Sequence, residues 1–234
     1  MRIKILLSIL IVSFATSSYS QTVSEIINKH IEALGGVRAL KNVQTKQVEL
    51  ELQLDSGPMK AMMYNQRPGF YKSEMEMPDG NKVITLVNAS GGWILMGENE
   101  SEISAEHMAD LRINELDLDG PLVEYEKKGI KVSLVGRENA NEKEAFKLKL
   151  ELPNQTVQWY WIDAGTYLPL RFSRSVITGM GSIDLEREFL EFKKVNDVNF
   201  PVRFRSSFGM NEYTTIVKSI KINEPIGQQV FEKG

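Results

Sequence analysis

Thr45 to Leu54 reads TKQVELELQL. Val48, Leu50, Leu52 and Leu54 alternate with Gln47, Glu49, Glu51 and Gln53, a period of two that suits an extended chain with one dry and one wet face. Asp55-Ser56-Gly57-Pro58 then supplies turn chemistry. The same alternation returns over Lys60–Asn65, Phe70–Met77, Lys82–Asn88 and Gly92–Met96, separated by Arg67-Pro68-Gly69, Pro78-Asp79-Gly80-Asn81 and Ser90-Gly91-Gly92. Five strands in succession, joined by short turns, predict an antiparallel meander.

Upstream of this run the period is helical. Ile26, Ile27, His30, Ile31 and Leu34 recur at i, i+3, i+4 spacing behind Thr22 or Ser24 as cap, and Gly35-Gly36 ends the helix. A further helical turn is expected over Val37–Lys41. Between Ser104 and Lys128 the alternation stops. Met108, Leu111 and Ile113 predict a helix after Ser104; Leu122, Val123 and Tyr125 predict a second, stopped by Gly129. Strand patterning then resumes over Lys131–Val135, Ala145–Leu152, Val157–Asp163, Leu168–Ile177, Ile183–Phe192, Phe200–Ser207 and Tyr213–Ile222, with turns expected at Gly136–Asn141, Pro153–Gln155, Ala164–Gly165, Gly179–Gly181, Asn196–Asn199 and Gly209–Asn211. The result is an α+β protein: a large curved antiparallel sheet of about a dozen strands, with helices on its concave side.

Composition bounds the function. The chain has 234 residues, 28 Lys+Arg, 31 Asp+Glu, 42% apolar residues and no cysteine, values that exclude disorder and a disulfide scaffold. Residues 1–20 carry Arg2 and Lys4, an apolar run from Ile5 to Ala15, and Ser18-Tyr19-Ser20 before Gln21. They predict a cleaved signal peptide; the run is too short for the roughly 20 apolar residues of a membrane span. A chain beginning near Gln21 would form one domain, residues 21–234. Its formal charge moves from −3 to −5, because the leader holds two bases and no acid. No run of five like charges occurs, so neither a nucleic-acid partner nor a polybasic membrane contact is indicated.

Chemistry is sparsely signalled. His30 and His107 have no HExxH neighbourhood and no cysteine to join them. Gly181-Ser182 lacks the Gly-x-Ser-x-Gly elbow and joins two strands. Glu74/Glu76 and Glu186/Glu188 are spaced as a solvated strand face. The apolar side chains say more. Met62, Met63, Met75, Met77 and Met96 occupy strand positions where β-branched residues are usual; methionine suits a flexible apolar ligand, and equally an ordinary core beneath helices. Trp159 and Trp161 share one face of a strand that is apolar on both sides. Phe200, Val202, Phe204 and Phe208 form an apolar face opposite Arg203 and Arg205.

Several short motifs recur in a recognisable order. Gln66-Arg67-Pro68-Gly69-Phe70, Met77-Pro78-Asp79-Gly80 and Gly92-Trp93 are followed by Asp119-Gly120-Pro121-Leu122-Val123, Asp163 with Thr166-Tyr167-Leu168-Pro169, Asn199-Phe200-Pro201, and Asn223-Glu224-Pro225-Ile226 with Phe231. This order resembles the periplasmic outer-membrane lipoprotein carriers of the LolA/LolB-like family, and the later motifs resemble the lipoprotein-sorting relatives more than the minimal carrier. The resemblance implies an unclosed β-barrel with a helical lid over a hydrophobic cavity. It implies no catalytic residue, cofactor or metal. It also implies a periplasmic, non-enzymatic carrier of lipid or lipoprotein acyl chains, served by an inner-membrane donor and an outer-membrane acceptor. Cavity walls are expected from Met62, Met75, Met77, Trp93, Trp159, Trp161, Phe172 and Phe204, with Arg67 as the residue that gates the lid. The other use of such a concavity is to hold a segment of a partner protein.

Overall fold

The computed structural model describes residues 21–77, 79–178 and 181–233. The expected signal peptide, Pro78 of one expected turn, and Gly179-Met180 of another lie outside the described residues. Two helices open the chain: α1 (Val23–Leu34), with Thr22 and Glu25 forming a capping box, and α2 (Gly36–Lys41). A first meander follows as β1 (Thr45–Leu54), β2 (Gly57–Gln66), β3 (Phe70–Glu76), β4 (Lys82–Asn88), β5 (Gly91–Met96) and β6 (Asn99–Glu102). Helix α3 (Ala105–Asn114) and a run of turns separate it from the second, which comprises β7 (Lys131–Ala140), β8 (Lys143–Glu151), β9 (Val157–Asp163), β10 (Pro169–Thr178), β11 (Gly181–Val195), β12 (Val198–Phe208) and β13 (Asn211–Ile222).

All thirteen strands form one antiparallel sheet in the order β6-β5-β4-β3-β2-β1-β13-β12-β11-β10-β9-β8-β7. The two meanders are joined where β1 pairs with β13, Val48 opposite Ile220 and Leu52 opposite Thr215. The chain leaves the sheet at one edge, β6, and re-enters at the other, β7. Residues 103–130 therefore bridge the two edges. Their placement requires curvature: α3 packs Leu111 against Tyr71 of β3 while Asn114 bonds Gln158 of β9, seven strands away in sheet order. A flat sheet would separate those strands by roughly 34 Å, which no side chains on a helix about 10–12 Å thick can span. The sheet wraps around α3 instead, and the edge strands β6 and β7 do not pair with each other, so the barrel is unclosed.

The main core lies on the concave side, where Ile26, Ile27 and Ile31 of α1 meet Phe146, Leu148, Leu150 and Ile162 of the second meander. Each such buried side chain contributes roughly 1.5–3 kcal/mol of transfer free energy. Gly35 lets α2 turn off α1 beside the sheet: φ is +126°, and a Cβ there would stand 2.1 Å from the Asp197 carbonyl oxygen. On the convex side, Ile226, Val230 and Phe231 of the C-terminal segment cover Leu86 and Trp93.

Three expectations are corrected. Residues 121–129 do not form a helix but a succession of turns, because Glu124 takes φ +51° and interrupts the ladder after Val123. Gly136–Asn141 is not a turn. Gly136 is a bulge in β7, and the reversal occurs at Asn141-Glu142, both at positive φ as a type I′ hairpin demands. The first meander also has a sixth strand, β6, whose four polar residues carry no alternation from which it could be read.

Candidate functional site

Between the concave face and α3 the sheet leaves a cavity of about 380 Å³. Its wall is built by strand parity. Val48 faces Met63 across β1 and β2, Ala61 faces Met75 across β2 and β3, and Phe204 faces Thr215 across β12 and β13, so all six project inward. A second lobe of about 260 Å³ lies between α1, β12 and residues 117–123, and a third of about 140 Å³ lies against β9–β11. The lobes meet at Asn114, which lines all three.

The cover over the second lobe is fixed by few, identifiable bonds. Arg67, at the end of β2, donates from Nε to the Val43 carbonyl at 2.8 Å and from an Nη to the Asp119 carboxylate at 2.6 Å. Lys128 closes the same segment on itself, bonding the Asp117 carboxylate and, at 2.7 Å, the Gly120 carbonyl. Burial holds Asp117 above the usual carboxylate range although Lys128 opposes the shift. Inside, α3 is bound more rigidly. Asp110 pairs with Arg174 of β10, both nine-tenths buried, and also accepts from Asn114 Nδ2 at 2.9 Å. Asn114 Oδ1 accepts from Gln158 at 2.8 Å, and Asn65 donates to the Glu115 carbonyl at 2.6 Å.

Below α3 the cavity contains charge. Lys46, Glu115 and Arg187 all line the 380 Å³ lobe. Burial lowers the Lys46 amine, with Glu115 partly opposing it. It raises the Glu115 carboxyl against the pull of Lys46 and Arg187, and lowers the Arg187 guanidinium. His30, on the buried face of α1, lines the second lobe, and its Nδ1 donates to the Tyr167 carbonyl at 2.8 Å; desolvation brings its pKa down to about 4, so it is neutral at pH 7. Among the described residues no group of three or more metal-ligating side chains converges.

The structure distributes the sequence-derived cavity residues over both faces of the sheet. Met75 and Phe204 line the large lobe and Phe172 the small one, its ring 5.0 Å from Tyr160. Met77 packs beside Met75 and Tyr213 at the strand end. Met62 has the opposite parity from Met63 and faces Glu49 and Glu74 on the convex side. Trp93 is also convex, under Phe231, with the Lys233 ammonium 3.9 Å above its ring. Trp159 and Trp161 face outward, stacked with Lys147, while Tyr160 between them faces in. Arg67 reaches the cover through the Asp119 carboxylate. Sequence reading missed Lys46, Met63, Glu115 and Arg187. Parity carried the signal for two of them: Lys46 is in phase with Val48 and Leu50, and Arg187 with Leu185 and Phe189.

An unclosed antiparallel barrel wrapped around helices at its mouth is a LolA-like fold. Its solved relatives include a DUF1329 family protein from Desulfovibrio piger (13% identity, 91% of this chain and 98% of that one, TM-score 0.60). A LolA superfamily protein from Nitrosomonas europaea matches at 11% identity over 92% and 99%, TM-score 0.56. A domain from Vibrio parahaemolyticus, described as outer membrane lipoprotein-sorting, matches at 13% over 88% and 94%, TM-score 0.54. At these identities the likeness speaks to the fold. No family model and no curated protein matches the chain by sequence. Among the described residues no helix is long and apolar enough to cross a membrane.

Proposed function

We propose that this protein is a non-enzymatic periplasmic carrier that holds lipid or lipoprotein acyl chains between its concave sheet face and α3. The observation that carries this reading is the apolar lobe of about 380 Å³ walled by Val48, Leu50, Met63, Met75 and Phe204: a single face of alternating strand positions left unfilled in a chain large enough to have packed it. The LolA-like fold supports it, as does the composition of residues 1–20, read as a cleaved export signal. The domain is then residues 21–234, and its partners are a membrane-bound donor and acceptor of the chains. Affinity rises by roughly 0.8 kcal/mol per methylene buried, less ordering costs.

Native mass spectrometry of protein purified from the periplasm without detergent, followed by lipid extraction, tests the proposal. Bound or readily acquired acyl species are the expected result. Clean unliganded masses that persist after challenge with lipid vesicles would overturn it, and recovery of a defined protein partner in their place would assign the concavity to a polypeptide segment.

A further inference from the structure

We infer that the cavity recognises the head of its ligand as well as the chain: Lys46 and Arg187 form an internal anion site that takes the carboxylate or phosphate of an amphiphile whose apolar chain fills the lobe walled by β1–β3. The inference rests on the proposed carrier function and specifies its ligand class. It starts from an imbalance of charge. Lys46, Arg174 and Arg187 face the lobes together with the carboxylates of Glu115, Asp117 and Asp119, of which Asp117 is taken by Lys128 and Asp119 by Arg67. Asp110 is taken by Arg174. Among the described residues no carboxylate oxygen lies within 4.0 Å of Lys46 or Arg187, and Lys46 makes no side-chain hydrogen bond. Arg187 makes one, from Nε to Ser206 at 3.4 Å, and rests its guanidinium 4.4 Å from the centre of the Phe204 ring. Among the described residues its terminal nitrogens make no hydrogen bond, which leaves them available to a forked acceptor.

Glu115 is the carboxylate whose charge reaches both cations, and among the described residues it forms no ion pair with either within 4.0 Å. Burial biases its carboxyl toward the protonated form, and its backbone carbonyl is already held by Asn65. An unpaired cation facing an apolar-walled cavity is costly unless something solvates it. The arrangement fits an occupant that is anionic at one end and apolar at the other. Lys46 begins the row that continues inward as Val48, Leu50 and Leu52, and Arg187 is in contact with Phe204 on the same wall. The charged end and the greasy wall are therefore adjacent along the same strands, as an amphiphile requires.

Isothermal titration of the full mature chain with four sixteen-carbon probes tests this: palmitate, palmitoyl lysophosphatidate, hexadecanol and hexadecyltrimethylammonium. One or both anionic probes should bind at least tenfold tighter than hexadecanol, about 1.4 kcal/mol, and the cationic probe weakest. Which anion binds tighter separates a carboxylate from a phosphate head. In Arg187→Met and Lys46→Met the preference for the anion should fall below threefold while hexadecanol binding is kept. Hexadecanol bound as tightly as both anions overturns the anion site and leaves the carrier reading standing; failure of all four probes to bind overturns both. The wild-type series decides the matter even if neither variant folds.

Discussion

Arg67→Leu removes the bond to Asp119 that holds the cover of the second lobe, and the bond to the Val43 carbonyl that positions the guanidinium, while keeping the apolar stem. A charged donor to a carboxylate or carbonyl contributes about 1.5–3 kcal/mol each. Both Arg67 and Asp119 retain some contact with water, at 29% and 12% side-chain exposure, so the pair is discounted to about 2 kcal/mol in total. Two kcal/mol corresponds to roughly 30-fold in the equilibrium between a closed and an open segment. Hydrogen exchange read by mass spectrometry should therefore show amides in residues 117–129 exchanging roughly 30-fold faster in the variant, with β8 and β9 unchanged. If acyl ligands enter only the open form, the apparent Kd tightens in the same variant by up to the same factor, because the closing free energy no longer opposes binding. Asp119→Asn should reproduce most of the effect, and the double variant should add little to it. Exchange in 117–129 altered by less than threefold, or a change spread evenly over the sheet, would refute the assignment of Arg67 as the residue that holds the cover.

Three other perturbations follow from the same geometry. His30 is held down to about 4 against 6.5 in the unfolded chain, so the unfolded state takes up its proton first; this stabilisation is complete above pH 6.5 and is lost as pH falls through 4. Urea unfolding should show about 2 kcal/mol more loss between pH 7 and 5 in wild type than in His30→Asn, the difference cancelling Glu115 and Asp117, whose raised pKa values act in the opposite direction; parallel pH profiles would contradict it. Asp110→Asn leaves Arg174 buried and unpaired and should cost about 3–5 kcal/mol, whereas Asp110→Leu with Arg174→Met should cost far less; thermal melts of the three proteins distinguish a buried ion pair from simple packing. Gly35→Ala combines a strained φ of +126° with a Cβ 2.1 Å from the Asp197 carbonyl and should lose about 3 kcal/mol, or roughly 6–12 °C in Tm; a Tm within 2 °C of wild type would show that the loop after β11 yields freely.

Most strands are legible in the sequence because they carry their own alternation, which the four polar residues of β6 lack, and α1 is legible because cap, stripe and glycine stop agree. The sequence could not say which of the two faces turns inward. Met62 and Met63 are chemically identical neighbours, and only the pairing of Met63 with Val48 and Ser73 puts it in the cavity. Trp159 and Trp161 misled for a related reason: a large aromatic on a strand signals cover, but their cover is Lys147 and the Arg171 guanidinium on the convex side. Lys46 and Arg187 were passed over because a charged residue in phase with an apolar face looks like a strand end or an exception. The turns over residues 121–129 were hidden for a local reason. Leu122 and Val123 are buried as a helix stripe would be, yet a segment this short, entered through Gly120-Pro121, gains too few backbone bonds to offset helix nucleation.

The placement of the bonds also predicts which part of the cover gives way first. Helix α3 is tied to the sheet by a buried ion pair, by the Asn114–Gln158 bond and by Leu111 against Tyr71 and Val87, contacts whose loss would expose unpaired polar groups in the interior. Residues 117–121 contribute the Asp119 contact to Arg67 and the Lys128 bonds, all at the rim where water can replace them. A rim bond can be replaced by water and costs less to break, about 2 kcal/mol for the Arg67 contacts, whereas breaking an interior one costs the full desolvation of its partners. Opening is therefore expected to begin at Asp119-Gly120-Pro121, which line the 260 Å³ lobe. On the proposed carrier reading, a chain admitted there would reach Asn114 and Lys46, shared by both lobes, before the wall at Met75.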